Sequence, residues 1–115
     1  MTSTDHVVVL TTLPVTADAE TFARTLVEQR LAACVNLLPE MTSVYRWKGS
    51  IEQDRERQVI IKTTSGRVPA LQARIRALHP YEVPELVVLP IVGGNPAYLA
   101  WIVEATTAPG AASET

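Results

Sequence analysis

The chain holds two histidines, His6 and His79, and only the second stands among other groups that could do chemistry. His79 precedes Pro80, and Pro80 and Pro84 bracket Tyr81, Glu82 and Val83. Each proline locks its own φ and pushes the residue before it toward extended backbone, so this loop holds imidazole, phenol and carboxylate in a fixed arrangement. The chemistry open to it is metal ligation or proton transfer by His79, with Tyr81 and Glu82 able to line the same cleft, although such glutamates are more often solvated. Read as structure, His79 caps the last carbonyls of a helix that ends there, and Tyr81 is an interface anchor.

Three more residues could join such a site. Cys34 is either a small buried thiol or a reactive thiolate, and the second state requires cationic neighbours. Trp47, flanked by Arg46 and Lys48, is either an anchor for another subunit or a stacking platform for a flat ligand. Lys62, in an otherwise apolar run, points to an ion pair, an anion-facing pocket or an edge position in water. The mixed charges of residues 52 to 57 (EQDRER) read as a solvated ribbon end, and Gly93-Gly94-Asn95 is a weak anion signal at a helix start. No Gly-rich phosphate loop, zinc-type Cys or His pair, or His-Glu-x-x-His helix occurs, so the sequence offers no enzyme motif and no catalytic residue.

At 115 residues the chain is expected to form one domain over 1–115 that needs no metal or disulfide to fold. Its net charge of −2 and scattered Arg and Lys give no footprint for nucleic acid. One cysteine cannot form an internal disulfide, no basic region precedes the first apolar run, and no run reaches the ~20 residues that span a bilayer. The expectation is a cytoplasmic protein with neither a membrane nor a nucleic-acid partner.

The elements that must position these residues follow from periodicity. Residues 6 to 13 are rich in β-branched side chains and stop at Pro14, which predicts a buried strand. Ala19, Phe22, Ala23, Leu26 and Val27 then recur at helical spacing, with Thr16 as the expected cap and an end near Leu31. Residues 34 to 47 and 51 to 64 flank Lys48-Gly49-Ser50 and read as a long hairpin, bent or bulged at Pro39. Each arm spans ~40 Å at ~3.3 Å per residue, against about 34 Å across for a compact domain of this length, so the hairpin outruns its domain. A second helix starts near Pro69 with Val68, Leu71, Ile75 and Leu78 on one face, and residues 85 to 92 form a last strand. Asn95 and Pro96 start a third helix with Tyr98, Leu99, Trp101 and Ile102 to pack, and residues 107 to 115 read as a frayed tail.

This order matches the split βαβ, ferredoxin-like unit: an α+β fold with a four-stranded antiparallel sheet, two helices on one face, a long β-hairpin and an extra C-terminal helix. Apolar residues on both sides of the strands, and strand edges beyond the domain, predict a closed homo-oligomer.

RLAACVNLLP (30–39), TSVYRWKGSIEQD (42–54), VIIKT (59–63), LHPYEVPELVVLPI (78–91) and GNPAYLAWI (94–102) together resemble the CutA family of divalent-cation tolerance proteins, bacterial branch, over about residues 7 to 104. The resemblance implies a non-enzymatic homotrimer similar to PII-type signalling proteins, with a role in tolerance of copper and other divalent ions. It implies metal or ligand binding at intersubunit clefts, with His79 and Glu82 as metal ligands and Cys34, Trp47, Lys62 and Tyr81 lining the cleft. Copper-binding members are expected to use a cysteine at the end of the first strand and two histidines before Pro-Tyr. Here those positions read Thr11, Leu78 and His79, so any copper or other divalent ion is expected to bind weakly. The alternative is a PII-like signalling trimer that binds a small anionic metabolite through Lys62 and Trp47.

Overall fold

A computed structural model describes residues 5–107; apart from Thr107, the expected tail lies outside the described residues. The chain runs β1 (His6–Pro14), α1 (Ala19–Glu28), β2 (Cys34–Trp47), β3 (Ser50–Thr64), a 3-10 turn (Ser65–Arg67), α2 (Val68–Leu78), β4 (Val87–Pro90) and α3 (Pro96–Thr106). The strands form one sheet in the order β2-β3-β1-β4 with antiparallel pairing throughout. This is the expected α+β, ferredoxin-like arrangement.

Alternation along β1 divides the sheet into two faces. Val7, Val9 and Leu13 point toward α1 and α2 and pack with Phe22, Leu26, Val59, Ile61, Leu71 and Ile75 as the core. The opposite, open face carries Val8, Leu10 and Thr12, paired with Lys62, Ile60 and Gln58 on β3. α3 closes one end of the sheet. His6 Nε2 donates to the Leu99 carbonyl (3.0 Å), and the Thr64 and Thr106 hydroxyls lie 3.5 Å apart.

Several boundaries differ from expectation. Asp18, not Thr16, caps α1, because its carboxylate accepts from both the amide and the hydroxyl of Thr21. Those bonds, the hydroxyl's first, hold its carboxyl below the usual aspartate value. The helix stops at Glu28 because Arg30 turns left-handed (φ 58°), and the amides of Arg30 and Leu31 reach back to the carbonyls of Val27 and Leu26, the Schellman pattern. Leu78 is exposed rather than part of the α2 packing face. β4 is only four residues long and all of them are exposed, with Pro90 ending the ladder opposite Val7.

The hairpin is as long as the sequence demands and gives the molecule extents of 51 × 26 × 24 Å. It turns in two residues, Lys48 (φ 50°) and Gly49 (φ 85°), the type I′ geometry that matches strand twist. Ser50 already pairs with Trp47. Between Leu37 and Glu40 the register slips by one residue, so Leu38 and Pro39 together face Gln58.

Leu26 is fully buried between helix and sheet. Leu26→Ala is expected to lower stability by about 3 kcal/mol, the usual cost of a Leu-sized cavity, measured as a reduced urea midpoint with unchanged slope.

Candidate functional site

The loop from His79 to Leu86 crosses the end of β1 that β4 does not cover, and polar contacts pin it along its length. At its start, His79 is buried as the cap residue of α2, and its own amide donates to the Ile75 carbonyl. The Tyr81 amide donates to His79 Nδ1 (3.1 Å), and Nε2 lies 2.5 Å from the Thr12 carbonyl oxygen. A carbonyl can only accept and an amide can only donate, so Nε2 carries the proton and the Nδ1 lone pair is taken. His79 is thereby a latch between α2, β1 and the loop. A metal could reach either nitrogen only by breaking one of these bonds.

Further along, the Tyr81 ring packs on the His79 ring with centroids 4.8 Å apart, and its hydroxyl donates to Glu56 Oε1 (3.4 Å). Lys48 Nζ lies 3.7 Å from Glu82 Oε1. The Gln58 amide donates both to Glu85 Oε2 (3.0 Å) and to the Thr11 carbonyl (2.8 Å). These contacts hold the loop as one wall of a cleft of about 520 Å³, whose other wall is the hairpin. Trp47, Tyr81 and Glu82 border it with Tyr45, Glu56 and Glu85.

The cleft is acidic and aromatic. Glu56 is only 8% exposed, which corrects the reading of residues 52 to 57 as a solvated ribbon end at that one position, while Gln53, Asp54 and Arg55 are exposed as expected. Among the described residues its carboxylate receives one hydrogen bond, the long one from Tyr81. Burial, and then the Glu56 charge, push the Tyr81 phenol above the usual tyrosine value. The Tyr45 hydroxyl donates to Asp54 Oδ2, and this bond pushes the Tyr45 phenol up to about 12. Lys48 brings a cation to the mouth, its ammonium 5.4 Å from the Trp47 ring centroid.

The six residues singled out from sequence fall into two groups. Trp47, Tyr81 and Glu82 line the cleft, with His79 latching its loop from behind. Cys34 and Lys62 face each other across β2 and β3 at the other end of the hairpin, roughly 40 Å of extended strand from Trp47. There Lys62 Nζ donates to Asn36 Oδ1 (2.6 Å), and the half-buried Cys34 thiol lies 3.8 Å from the same oxygen. Within one chain Lys62 and Trp47 therefore do not share a site. Sequence reasoning missed Tyr45, Asp54 and Glu56; the register sets Glu56 opposite Met41, Asp54 opposite Ser43 and Glu52 opposite Tyr45, and that alternation would have grouped them on one face once the bulge was counted. Among the described residues, no three His, Cys, Asp or Glu side chains converge to hold a metal ion, and no helix is long and apolar enough to cross a membrane.

Two outcomes follow from this geometry. His79→Ala leaves the Thr12 carbonyl and the Tyr81 amide without partners and is expected to cost about 2 kcal/mol, seen as a lower urea midpoint and faster amide exchange at Tyr81. Asp54→Asn removes the charge that holds the Tyr45 proton, so the Tyr45 phenol is expected to ionise well below pH 12, followed through its ring-carbon NMR shift.

Comparison with known proteins agrees with these features. The family model described as CutA1 divalent ion tolerance protein matches residues 7–105. The chain is 52% identical over 99 residues to the divalent-cation tolerance protein CutA of Thermus thermophilus, covering 86% of this chain and 96% of that one. It is 54% identical over 88 residues to the mouse protein CutA, covering 76% of this chain but only 50% of the mouse protein, so it spans about half the length of that relative. The solved Thermus thermophilus Cut A1 structure superposes with a TM-score of 0.85 at 51% identity, covering 88% of this chain and 98% of that one. A chain matched by one family model over nearly all its described residues, and half identical to relatives that share its fold, belongs to the CutA1 divalent ion tolerance protein family.

Proposed function

We propose that this chain is a non-enzymatic, cytoplasmic tolerance protein that assembles as a homotrimer and holds copper or another divalent cation weakly at clefts between subunits. The observation that carries this reading is Glu56, a carboxylate buried in a cleft wall with one long hydrogen bond and, among the described residues, no cation in salt-bridge contact with it. A buried carboxylate is costly unless a positive charge answers it. Glu82 and Glu85 border the same cleft and add oxygen donors of the type that hard and borderline divalent ions accept.

Weak binding is expected because the described residues of one chain supply no complete ligand set. Its sole imidazole near the cleft is already hydrogen-bonded at both nitrogens, so waters or a second copy must complete the sphere. Assembly is supported by the open sheet face, where Val8 and Leu10 pair with Leu89 and Val87 and the β4 side chains are exposed. Tyr98 and Trp101 on α3 are exposed as well. Apolar surface of this extent calls for cover. An anionic ligand fits the cleft poorly, because three carboxylates border it and Lys62 is held at the far end of the hairpin.

Native mass spectrometry with about one copper ion per chain tests the reading, run beside Glu56→Gln and Glu82→Gln. The expected result is a trimer that takes up copper in multiples of three and loses most of that uptake in either variant. A monomer, or copper uptake unchanged by both substitutions, would overturn it. His79→Ala is a poor test by itself, since removing the latch disturbs the loop whether or not the imidazole touches metal.

A further inference from the structure

A metal ion gains little from aromatic rings, yet three of them border this cleft: Tyr45, Trp47 and Tyr81. Rings with carboxylates at their edges are the recognition chemistry of organic ammonium ions, whose positive charge is drawn to the ring face while their methylenes bury against it. The chain displays this chemistry with its own Lys48. The Lys48 ammonium lies 5.4 Å from the Trp47 centroid and 3.7 Å from Glu82, so the mouth of the cleft already seats an alkylammonium group on a flexible stem. That seat is open to exchange, because the Lys48 and Glu82 side chains are 69% and 72% exposed and an exposed pair contributes little to stability.

The second seat is Glu56. It lies in the same cleft, is more than nine-tenths buried, and among the described residues has no cationic partner, its carboxylate meeting only the Tyr81 hydroxyl at 3.4 Å. Arg55 and Arg57, its neighbours along β3, point to the other side of the ribbon, where they bond Glu40 and the Leu38 carbonyl. One cleft of about 520 Å³ is thus bordered by two carboxylate seats and three aromatic rings, the Glu82 seat occupied by a tethered ammonium and the Glu56 seat, among the described residues, by none. This volume lies in the range of small-molecule sites.

We propose that the cleft binds an aliphatic diamine or polyamine, one ammonium at Glu56 and the other displacing Lys48 from the Trp47 and Glu82 seat. The inference rests on the reading of the cleft as a cation site but not on that cation being a metal. Lys48 acts as an internal competitor: the type I′ turn fixes its backbone, and the ligand must displace its ammonium from Glu82 and Trp47. Binding is driven by charge at the two seats and therefore weakens with salt.

Isothermal titration of the assembled protein at low ionic strength, with 1,8-diaminooctane, chosen for its length because Glu56 stands six residues along β3 from the Trp47 partner Ser50, and with n-octylamine as the single-ammonium control, tests this. The diamine is expected to bind about tenfold more tightly than the monoamine, the effect of one additional charged contact of ~1.4 kcal/mol. Glu56→Gln, which keeps the shape of the side chain, is expected to bring the diamine down to the level of the monoamine. Trp47→Leu should weaken both ligands about fivefold, and Lys48→Ala should tighten both. A diamine that binds no better than the monoamine, or equally well in Glu56→Gln, would overturn the proposal. Copper uptake by a protein indifferent to diamine would sink this inference and leave the metal reading standing; diamine binding without copper uptake would do the reverse.

Discussion

The register slip at Leu38 and Pro39 decides what this protein can bind. Before it, Cys34 and Asn36 pair with Lys62 and Ile60; after it, Met41, Ser43, Tyr45 and Trp47 pair with Glu56, Asp54, Glu52 and Ser50. Strand side chains alternate between faces, so one extra residue in β2 exchanges the outward and inward sets for everything beyond it. The odd-numbered residues, with their phenol and indole, join the acidic members of β3 on the face that the His79 loop covers. Thr42, Val44 and Arg46 go to the other face with Arg55, Gln53 and Ile51. Without the slip, the hairpin wall of the cleft would present Thr42, Val44 and Arg46, and a cation would meet an arginine instead of two aromatic rings. Proline suits the position because it has no amide to donate and the bulged residue needs none.

Much of the fold was legible because it rests on local patterns that tertiary contacts reinforce. The β-branched run of β1, the helical spacing of Phe22 and Leu26, the Asn95-Pro96 start of α3 and the two long arms around Lys48-Gly49 each have one good local solution, and the structure adopts it. Errors arose where two residues compete for one role. Thr16 and Asp18 both could cap α1, and Asp18 prevails because the Thr21 amide and hydroxyl both point at it. Leu78 continues the apolar spacing of α2 but falls on the last turn, where the chain is already leaving the sheet.

The candidate site was less legible for a different reason. Glu56 sits in EQDRER, a run whose composition says solvent, and its burial comes from a loop more than twenty residues downstream in the sequence. Trp47 and Lys62 looked like parts of one pocket because both belong to the hairpin, but a hairpin separates its ends as efficiently as it joins its arms. His79 drew attention as the chemically versatile residue, and its versatility is spent on structure: one nitrogen donates and the other accepts, a pairing that only a neutral imidazole offers.

The same geometry bears on the positions that the family resemblance associates with copper. Thr11 shares the face of Val9 and Leu13, fully buried toward the helices, and its hydroxyl has no hydrogen-bond partner among the described residues. Leu78 is exposed at the end of α2, and His79 turns inward to β1. In one chain these three side chains point in different directions, two of them away from the cleft. The cleft's carboxylates stand on the other side of the sheet from Thr11, placed there by the alternation of β3 and by the slip in β2. Restoring a thiol at Thr11 would therefore put a soft ligand in the hydrophobic core, while Glu56 and Glu82 stayed in a separate oxygen-lined site. A cation held here answers to carboxylate charge and aromatic surface, and the imidazole nearest to it serves to keep the wall upright.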